Sequence, residues 1–568
     1  MPLNDAPIRL HKTSEGGHQI LLRNEPYLVI GAETHNSSFS SSKFMSDKWA
    51  PLQAAGINTI LGAVCWDQIE QTEGQFDFEH LDGIIEQARD RKMHLILLWF
   101  GSFKNGQSSY VPTWVKKDHR RFPRAFIRDS TSGKLKMTEV LSVFDRSNVE
   151  ADKTAFVRLM RHIRDIDSAH GTVLMVQVEN EVGLLGSSRD HGSSADKAFK
   201  QAPPSEMVDR LRSDRDNLNP TLLSSLHHFL SLPATARPAN WSETFGTSLK
   251  ADEVFMAYHY ARYVNEIAAA GKEAYQLPMF VNVWLSSIDM DRDIQLPTFM
   301  TAGGGGHPGF YPSGGPVIDV LDIWQLFAPS IDFVAPDIYL QVYAKILAHY
   351  RHRNQPLMIP EQRRDEHGLR RLWEAYGSHG ALYASPFGID TFPDAERDLL
   401  VEHFGLLSKV RKYLLDIQAD PKRGFGFCFD EPKDGETFNS APKHIEMGSW
   451  RLTVTRGFSF GDVRPGYGII YQLSEDRFLL VGGGFSVGFE STKSTSLFSG
   501  IARLSEVDIS DPSTGELVVN RWMNGDETGS GTSARMPNSQ LPPMTVPIPI
   551  DTPAVTRLAV CEVYSLEE

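Results

Sequence analysis

Residues 173–183 read VLMVQVENEVG: five apolar residues around one glutamine, then Glu179, Asn180 and Glu181 together. A run this apolar belongs in a core, where a charge is costly unless it has a partner or a task. Both demands are met by a parallel strand, buried on its two faces, whose C-terminal end opens into a site. The stretch is therefore read as one inner strand of an α/β fold, with the acidic residues at its mouth.

Working outward, the same texture recurs through the first 390 or so residues. Short apolar runs stand at YLVIGA (27–32), INTILGAV (57–64), HLILLWF (94–100) and VLMVQV (173–178). They continue at PMFVNVW (278–284), IDFVAP (331–336), PLMIP (356–360) and GALYAS (380–385). Helical spacing lies between them: Leu81, Ile84, Ile85 and Ala88 follow i, i+3, i+4, i+7, as do Phe156, Leu159, Met160 and Ile163. Eight such strands with helices between them predict a (β/α)8 TIM barrel, and no glycine fingerprint after the first strand favours a doubly wound sheet. The connections at 185–250 and at the glycine-rich 301–316 are long, as site-building loops of barrels are. A last helix bearing Leu400, Phe404, Leu407 and Leu414 should close the barrel.

Beyond residue 420 the runs become short and alternating, as in WRLTVTRG, GIIYQL, RFLLVGGGFSVGFE and RLAVCEVY. Bounded by Gly, Pro, Asn and Asp, they predict antiparallel strands and a β-sandwich. The expected domains are a catalytic barrel over 1–420 and a C-terminal β-sandwich over 421–568. The segment 525–549, rich in Gly, Ser, Pro and Thr, reads as a surface loop or arm.

Bulk properties narrow the function. The 568 residues carry a formal net charge of −14, from 71 acidic and 57 basic side chains, with no basic block to set against it. Nucleic acid and anionic membrane are thus not the expected partners. The opening MPLNDAPIRLHKTSEGGHQI has neither the basic nor the apolar region of a secretory signal, and no apolar run reaches membrane-spanning length. A soluble, cytoplasmic protein is expected. Cys65, Cys428 and Cys561 are too scattered for a disulfide framework or a metal pattern and read as free thiols. The sequons at Asn36 and Asn240 mean little without a secretory route.

In a barrel, residues just past a strand's C-terminal end face the active site. Glu181 follows the fourth strand and Glu361 the seventh, nearly opposite each other. Two carboxyls aimed into one cavity from opposite sides are the requirement of glycoside hydrolysis: one donates a proton to the leaving oxygen, the other attacks the anomeric carbon. Trp66, Trp99 and Trp284 lie at strand ends, where an indole face could stack on a pyranose. Glu33 and His35 after the first strand, and Asp67 after the second, are candidate hydroxyl ligands.

QVENEVG resembles the acid/base motif of the β-galactosidases of glycoside hydrolase family 35, usually written Q-V-E-N-E-Y-G. GINTILGAVCWDQIEQTEGQFDFEHLDGIIEQA (56–88) is similar to their second βα unit. ADEVFMAYHYARYVNEIAAAGKEAY, FYPSGGPVIDVLDIWQLFAPSIDFVAPDIY and SPFGID resemble a branch carrying its own C-terminal β domain. The resemblance implies Glu181 as general acid/base, Glu361 as nucleophile, retention of configuration, and Asn180 on the sugar's 2-hydroxyl. Glu179 is then a supporting carboxylate, expected to be turned away from the cavity by strand alternation. Tyr339 matches a tyrosine placed beside the nucleophile. There are two departures: Val182 replaces the motif's tyrosine, and LLWFGSFKNG lacks the glutamate of the CAEW that follows the third strand in common members.

Other signals fail on inspection. TAGGGGHPG lacks the Lys-Ser/Thr of a phosphate loop. DMDRDI (289–294) has Ile294 where a calcium loop needs glycine and Met300 where it needs a bidentate glutamate. His227 and His228 are adjacent and cannot share a helix face as metal ligands, and LVGGGFSVG reads as a strand with a bulge or turn. The expected function is a retaining exo-β-galactosidase acting on a carbohydrate substrate, without metal or organic cofactor. The alternatives are a retaining glycosidase for a β-D-glucoside, β-D-fucoside or α-L-arabinopyranoside, and a non-catalytic carbohydrate-binding protein.

Overall fold

The computed structural model describes residues 7–129, 132–233, 235–286, 305–392, 394–429, 441–457, 465–523, 525–538 and 554–568. The DMDRDI stretch and residues 301–304 and 539–549 lie outside them.

The apolar runs form parallel strands. Gly31–Glu33, Thr59–Cys65, His94–Lys104, Val173–Asn180, Met279–Trp284 and Phe333–Asp337 pair in that order as one parallel sheet. Ile359–Gln362 and Ala384–Pro386 form a parallel pair. Every residue of Thr59–Cys65 and Val173–Asn180 is buried, as two-sided burial requires. The sheet curls until single parallel bridges join both seams. Ile338 pairs with Gln362 on one side and Glu33 with Phe387 on the other, and the Ile338 amide donates to the Glu361 carbonyl at 2.9 Å. The result is a curled, barrel-like parallel sheet with the C-terminal ends of its strands at one mouth.

Helices cover its outside. Glu79–Asp90 buries Leu81, Ile84, Ile85 and Ala88, and Arg146–Asp167 buries Phe156, Leu159, Met160 and Ile163. Each Leu, Ile, Met or Phe side chain among them contributes about 1.5–3 kcal/mol on leaving water. Asp145 caps the second helix by accepting from the Ser147 amide, worth about 1 kcal/mol. The expected closing helix is two, Asp394–Lys409 and Arg411–Ala419, broken at Val410; Leu400, Phe404, Leu407 and Leu414 are all buried. The 185–250 connection folds into short helices around a core of Met207, Leu211, Leu222, Phe229, Trp241 and Phe245.

Three elements differ from expectation. Tyr27 belongs not to the first parallel strand but to an N-terminal antiparallel sheet of Ile8–Lys12, His18–Leu22 and Glu25–Tyr27. A hairpin, Arg124–Arg128 with Leu135–Leu141, lies between the third strand and its helix. The third strand is also longer than its apolar run, reaching Lys104.

The C-terminal strands form two antiparallel sheets. One orders Gly424–Phe429, Gly466–Ser474, Arg477–Gly483, Leu558–Glu567, Ser496–Asp511 and Glu516–Met523; the other orders Lys443–Met447, Trp450–Arg456, Phe485–Ser491 and Ser533–Met536. Phe427, Ile470 and Leu480 of the first share a core with Trp450, Val487 and Met536 of the second. The LVGGGFSVG stretch turns at Gly484, φ 76°, where the chain passes from one sheet to the other. Strand Gly424–Phe429 lies against helix Glu366–His379 so closely that a Cβ on Gly377 would stand 2.5 Å from the Gly426 Cα, which only a glycine pair permits. Among the described residues no helix is long and apolar enough to cross a membrane.

Candidate functional site

The end of the fourth strand is held from both sides. Asn180 pairs in register with Lys104 of the third strand; the Asn105 amide donates to the Asn180 carbonyl at 3.2 Å and the Gly106 amide to the Glu181 carbonyl at 3.0 Å. From the fifth strand, Asn282 Oδ1 accepts the Glu181 amide at 2.8 Å. Between these anchors the backbone is strained: Glu179 and Glu181 have φ of 63° and 46°, a left-handed region costly for side chains with a Cβ.

That strain separates the two glutamates. In a regular strand residues two apart point to the same side, so alternation cannot turn Glu179 away while Glu181 faces the cavity. The left-handed residues break the pleat instead. Glu179 faces the third strand, accepting from the Phe103 amide at 2.7 Å and the Ser102 amide at 3.3 Å. Asp152 crowds the same spot, accepting from the Trp99 indole and the Ser102 amide, both at 2.9 Å. A Cβ on Gly101 would meet Trp99 Nε1 at 2.3 Å and Glu179 Oε1 at 2.8 Å, so this crossing requires glycine. Burial and the Asp152 carboxylate push the Glu179 carboxyl well above its usual range.

Glu181 faces a different set of groups. One carboxylate oxygen from each of Glu181, Asp337 and Glu361 lies within 4.8 Å of the others. Two like charges at that spacing repel by about 3–4 kcal/mol even at an effective dielectric of about 20. Glu33 is fully buried within their field. The cluster also holds unpartnered buried atoms: both Glu33 oxygens, Asp337 Oδ1, Glu361 Oε1 and the Trp284 indole nitrogen. Glu361 Oε2 accepts from the Tyr339 hydroxyl at 2.7 Å, and Asp337 Oδ2 accepts from Asn282 Nδ2 at 2.8 Å.

The electrostatics follow from burial and crowding. Desolvation first, then the Glu361 charge, raise Glu181 to about 8, against the opposing pull of Lys104. Desolvation and Glu361 likewise hold Glu33 and Asp337 well above the carboxylate range. The Lys104 ammonium is raised despite burial, because Glu361, Glu181, Glu33 and Asp337 surround it. Three carboxyl oxygens so close have the spacing of a hard-cation ligand set. Here Lys104 already supplies positive charge, and Glu181 and Asp337 are biased toward their protonated forms. The arrangement is suited to proton transfer and nucleophilic attack by carboxyls.

The other expected residues fall into two groups. Asn180 is buried at the mouth, its oxygen accepting from Gln177 and Asn282 and its amide donating to Asn105 at 3.1 Å. Trp284 is half-buried, in register beside Asp337. Trp66 and Trp99 must be corrected: both are fully buried, with indoles donating to Glu70 at 2.7 Å and to Asp152, so neither offers a face to a sugar. His35 is turned to Asp390, bonded at 2.9 Å through Nδ1, and ties the first strand's loop to that after the eighth. Asp67 is half-buried, 3.9 Å from Lys116.

Lys104, Asn282 and Asp337 were not singled out from the sequence. Each is a polar residue at or near the end of an otherwise apolar strand, in FGSFK, FVNVW and FVAPD, which is the same signal that singled out Glu181.

Comparison with known proteins bears on this geometry. Residues 39–246 match the family model described as beta-galactosidase, glycoside hydrolase family 42, and residues 400–535 match a domain of unknown function, DUF5597. The matching family is thus 42, which corrects the expectation of family 35. Residues 39–246 are glycoside-hydrolase-like sequence. The chain is similar to beta-galactosidase-1-like protein 3 of Mus musculus, 25% identical over 182 residues, or 31% of this chain and 25% of that protein. The Homo sapiens protein of that name is 24% identical over 193 residues, 33% of this chain and 26% of its own length. The chain therefore spans about a quarter of these curated relatives. Among solved structures it is similar to a β-galactosidase from Bacillus circulans sp. alkalophilus, with a TM-score of 0.45 and 16% identity, covering 68% of this chain and 57% of that one. The β-amylase catalytic domain from Paenibacillus polymyxa has a TM-score of 0.44 and 11% identity, covering 66% of this chain and 96% of that one.

Proposed function

We propose that the protein is a retaining exo-glycoside hydrolase that releases terminal β-D-galactose. One observation carries the reading: oxygens of Glu181 and Glu361 lie within 4.8 Å of each other, in a buried cluster with further polar atoms that have no partner. A short separation is the spacing of double displacement, since inverting enzymes hold their carboxyls farther apart to admit a water. The family model over residues 39–246 supports the choice of glycon.

In this reading the eight parallel strands are a (β/α)8 barrel over residues 1–420, and the two C-terminal sheets are a β-sandwich over 421–568. Glu361, with Tyr339 bonded to Oε2, attacks the anomeric carbon and forms a glycosyl ester as the C–O bond to the aglycone breaks. Glu181, protonated below about pH 8, delivers its proton to the departing oxygen. It then takes a proton from water, whose oxygen displaces Glu361 and releases the sugar with its configuration retained. In this reading the open atoms of Glu33, Asp337 and Trp284 bond glycon hydroxyls, and Asn180 is assigned to the 2-hydroxyl.

A second reading keeps the mechanism and changes the sugar to a β-D-glucoside, β-D-fucoside or α-L-arabinopyranoside. It is favoured by the third strand, which brings Lys104 rather than an acid to the site. A panel of nitrophenyl β-glycosides with Glu361→Gln alongside tests both. Best turnover on the galactoside, lost in the variant, supports the first. Best turnover on another sugar, also lost, supports the second. Equal binding without product at any pH sinks both in favour of a carbohydrate-binding protein.

A further inference from the structure

The strand Met279–Trp284 lies between Val173–Asn180, which leads into Glu181, and Phe333–Asp337. Its sequence, MFVNVW, is apolar but for one buried carboxamide, that of Asn282. A buried carboxamide has one oxygen and two hydrogens to satisfy, and leaving any of them unpaired costs stability. Here all three are used. Oδ1 accepts the Glu181 backbone amide at 2.8 Å, and Nδ2 donates to Asn180 Oδ1 at 3.1 Å and to Asp337 Oδ2 at 2.8 Å.

The direction of these bonds is fixed. The Glu181 N–H can only donate, so Oδ1 of Asn282 faces it and Nδ2 faces the other two partners. Asn180 Oδ1 also accepts from Gln177 at 3.0 Å, and Asn180 Nδ2 donates to Asn105 at 3.1 Å. Asn180 is left with one amide hydrogen to offer and no lone pair. The bond to Glu181 bears on the chemistry most directly. Glu181 has φ of 46°, a conformation that persists only where its surroundings hold it. Two bonds hold this peptide: the Gly106 amide donates to the Glu181 carbonyl at 3.0 Å, and Asn282 accepts the Glu181 amide. Of the two, only the second comes from a side chain. The same side chain holds Asp337, which has a carboxyl oxygen within 4.8 Å of one on Glu181.

We propose that Asn282 is the positioning residue of the acid/base. Its carbonyl holds Glu181 in the left-handed conformation that brings the carboxyl beside Asp337 and Glu361, and its amide fixes Asn180 and Asp337 around it. This rests on the glycosidase reading and deepens it. Without the bond to Asn282 the Glu181 peptide relaxes, and the proton is no longer aimed at the departing oxygen.

The test compares Asn282→Leu, which keeps the shape and removes all three bonds, with Asn282→Asp, which keeps an oxygen for the Glu181 amide. kcat/KM is measured on aryl β-galactosides whose phenols span a wide range of acidity. In Asn282→Leu the loss is expected to grow as the phenol becomes a poorer leaving group, reaching about 10–10³-fold. It should be slight for dinitrophenol, which departs without a proton, and Asn282→Asp should restore most of it. A merely structural asparagine would cost every substrate alike; that result, or no loss, overturns the proposal. A second readout needs no turnover. Exchange of the Glu181 amide hydrogen, followed by fragmentation mass spectrometry, should be at least about tenfold faster in Asn282→Leu and near wild type in Asn282→Asp. Unchanged exchange overturns the proposal. Asn282→Ser, too short to reach the amide, replaces Asn282→Leu if that variant does not fold. The two failures are distinct. Faster exchange with no glycoside turned over even by wild type overturns the hydrolytic reading, whereas turnover with an unaltered dependence on the leaving group overturns the role of Asn282.

Discussion

Glu179 and Glu181 stand two residues apart on one strand, both buried and both left-handed, and they have opposite surroundings. Behind the strand, Glu179 is held by two backbone amides in a packed crossing that only Gly101 allows. At the mouth, Glu181 shares a cluster where Glu33, Asp337 and Glu361 leave carboxyl oxygens without partners. A folded chain avoids leaving buried polar atoms unpaired, because each costs about 1–3 kcal/mol. A satisfied buried carboxyl therefore marks architecture, and several unsatisfied ones clustered together support the proposed site.

That contrast predicts how each side fails. The largest effect is expected for Glu361→Gln, which removes the proposed nucleophile: turnover should fall by several orders of magnitude while the melting temperature does not fall. Glu181→Gln follows, with a loss of about 10²–10⁴-fold on glycosides with poor leaving groups and much less on a nitrophenyl glycoside, which departs without protonation. Because the proposed role of Glu181 requires its proton, wild-type kcat/KM should decline above about pH 8, and Glu181→Gln should lose that limb. Tyr339→Phe deletes one hydrogen bond to a charged oxygen and should cost about 10–100-fold in kcat. The smallest effect on chemistry is expected behind the strand. Glu179→Ala strands the Phe103 amide, while the Ser102 amide keeps Asp152, and should lower unfolding free energy by about 1–3 kcal/mol in a urea titration. A loss of activity larger than its loss of stability would break the contrast.

The parallel strands were legible because two-sided burial leaves an unbroken apolar run, as in VLMVQV. All their ends but that at Trp284 were read one to several residues early for the same reason. The strands continue into polar residues at the mouth: Glu33, Lys104, Asn180 and Asp337. Hydrophobicity stops where the site starts. Glu181 and Glu361 were legible because both stand just past such runs, whereas Lys104, Asn282 and Asp337 are lone polar residues whose direction the sequence does not fix. Trp66 and Trp99 misled, since an indole at a strand end looks alike whether it faces a cavity or, as here, donates to a buried carboxyl. The N-terminal sheet was missed because its strands of three to five residues are too short to show a period. The separation of Glu179 from Glu181 was not legible at all, since it depends on two left-handed residues that are not glycine.

The most direct test of the account is covalent trapping. The protein is incubated with a 2-deoxy-2-fluoro-β-galactosyl fluoride, which slows departure of the glycosyl-enzyme ester more than its formation, and is then digested and mapped by mass spectrometry. The account predicts one added fluorosugar per chain, on Glu361, absent in Glu361→Gln. Attachment to Glu33 or Asp337 in place of Glu361, or hydrolysis of the reagent with no adduct and inverted configuration in the product, would contradict it.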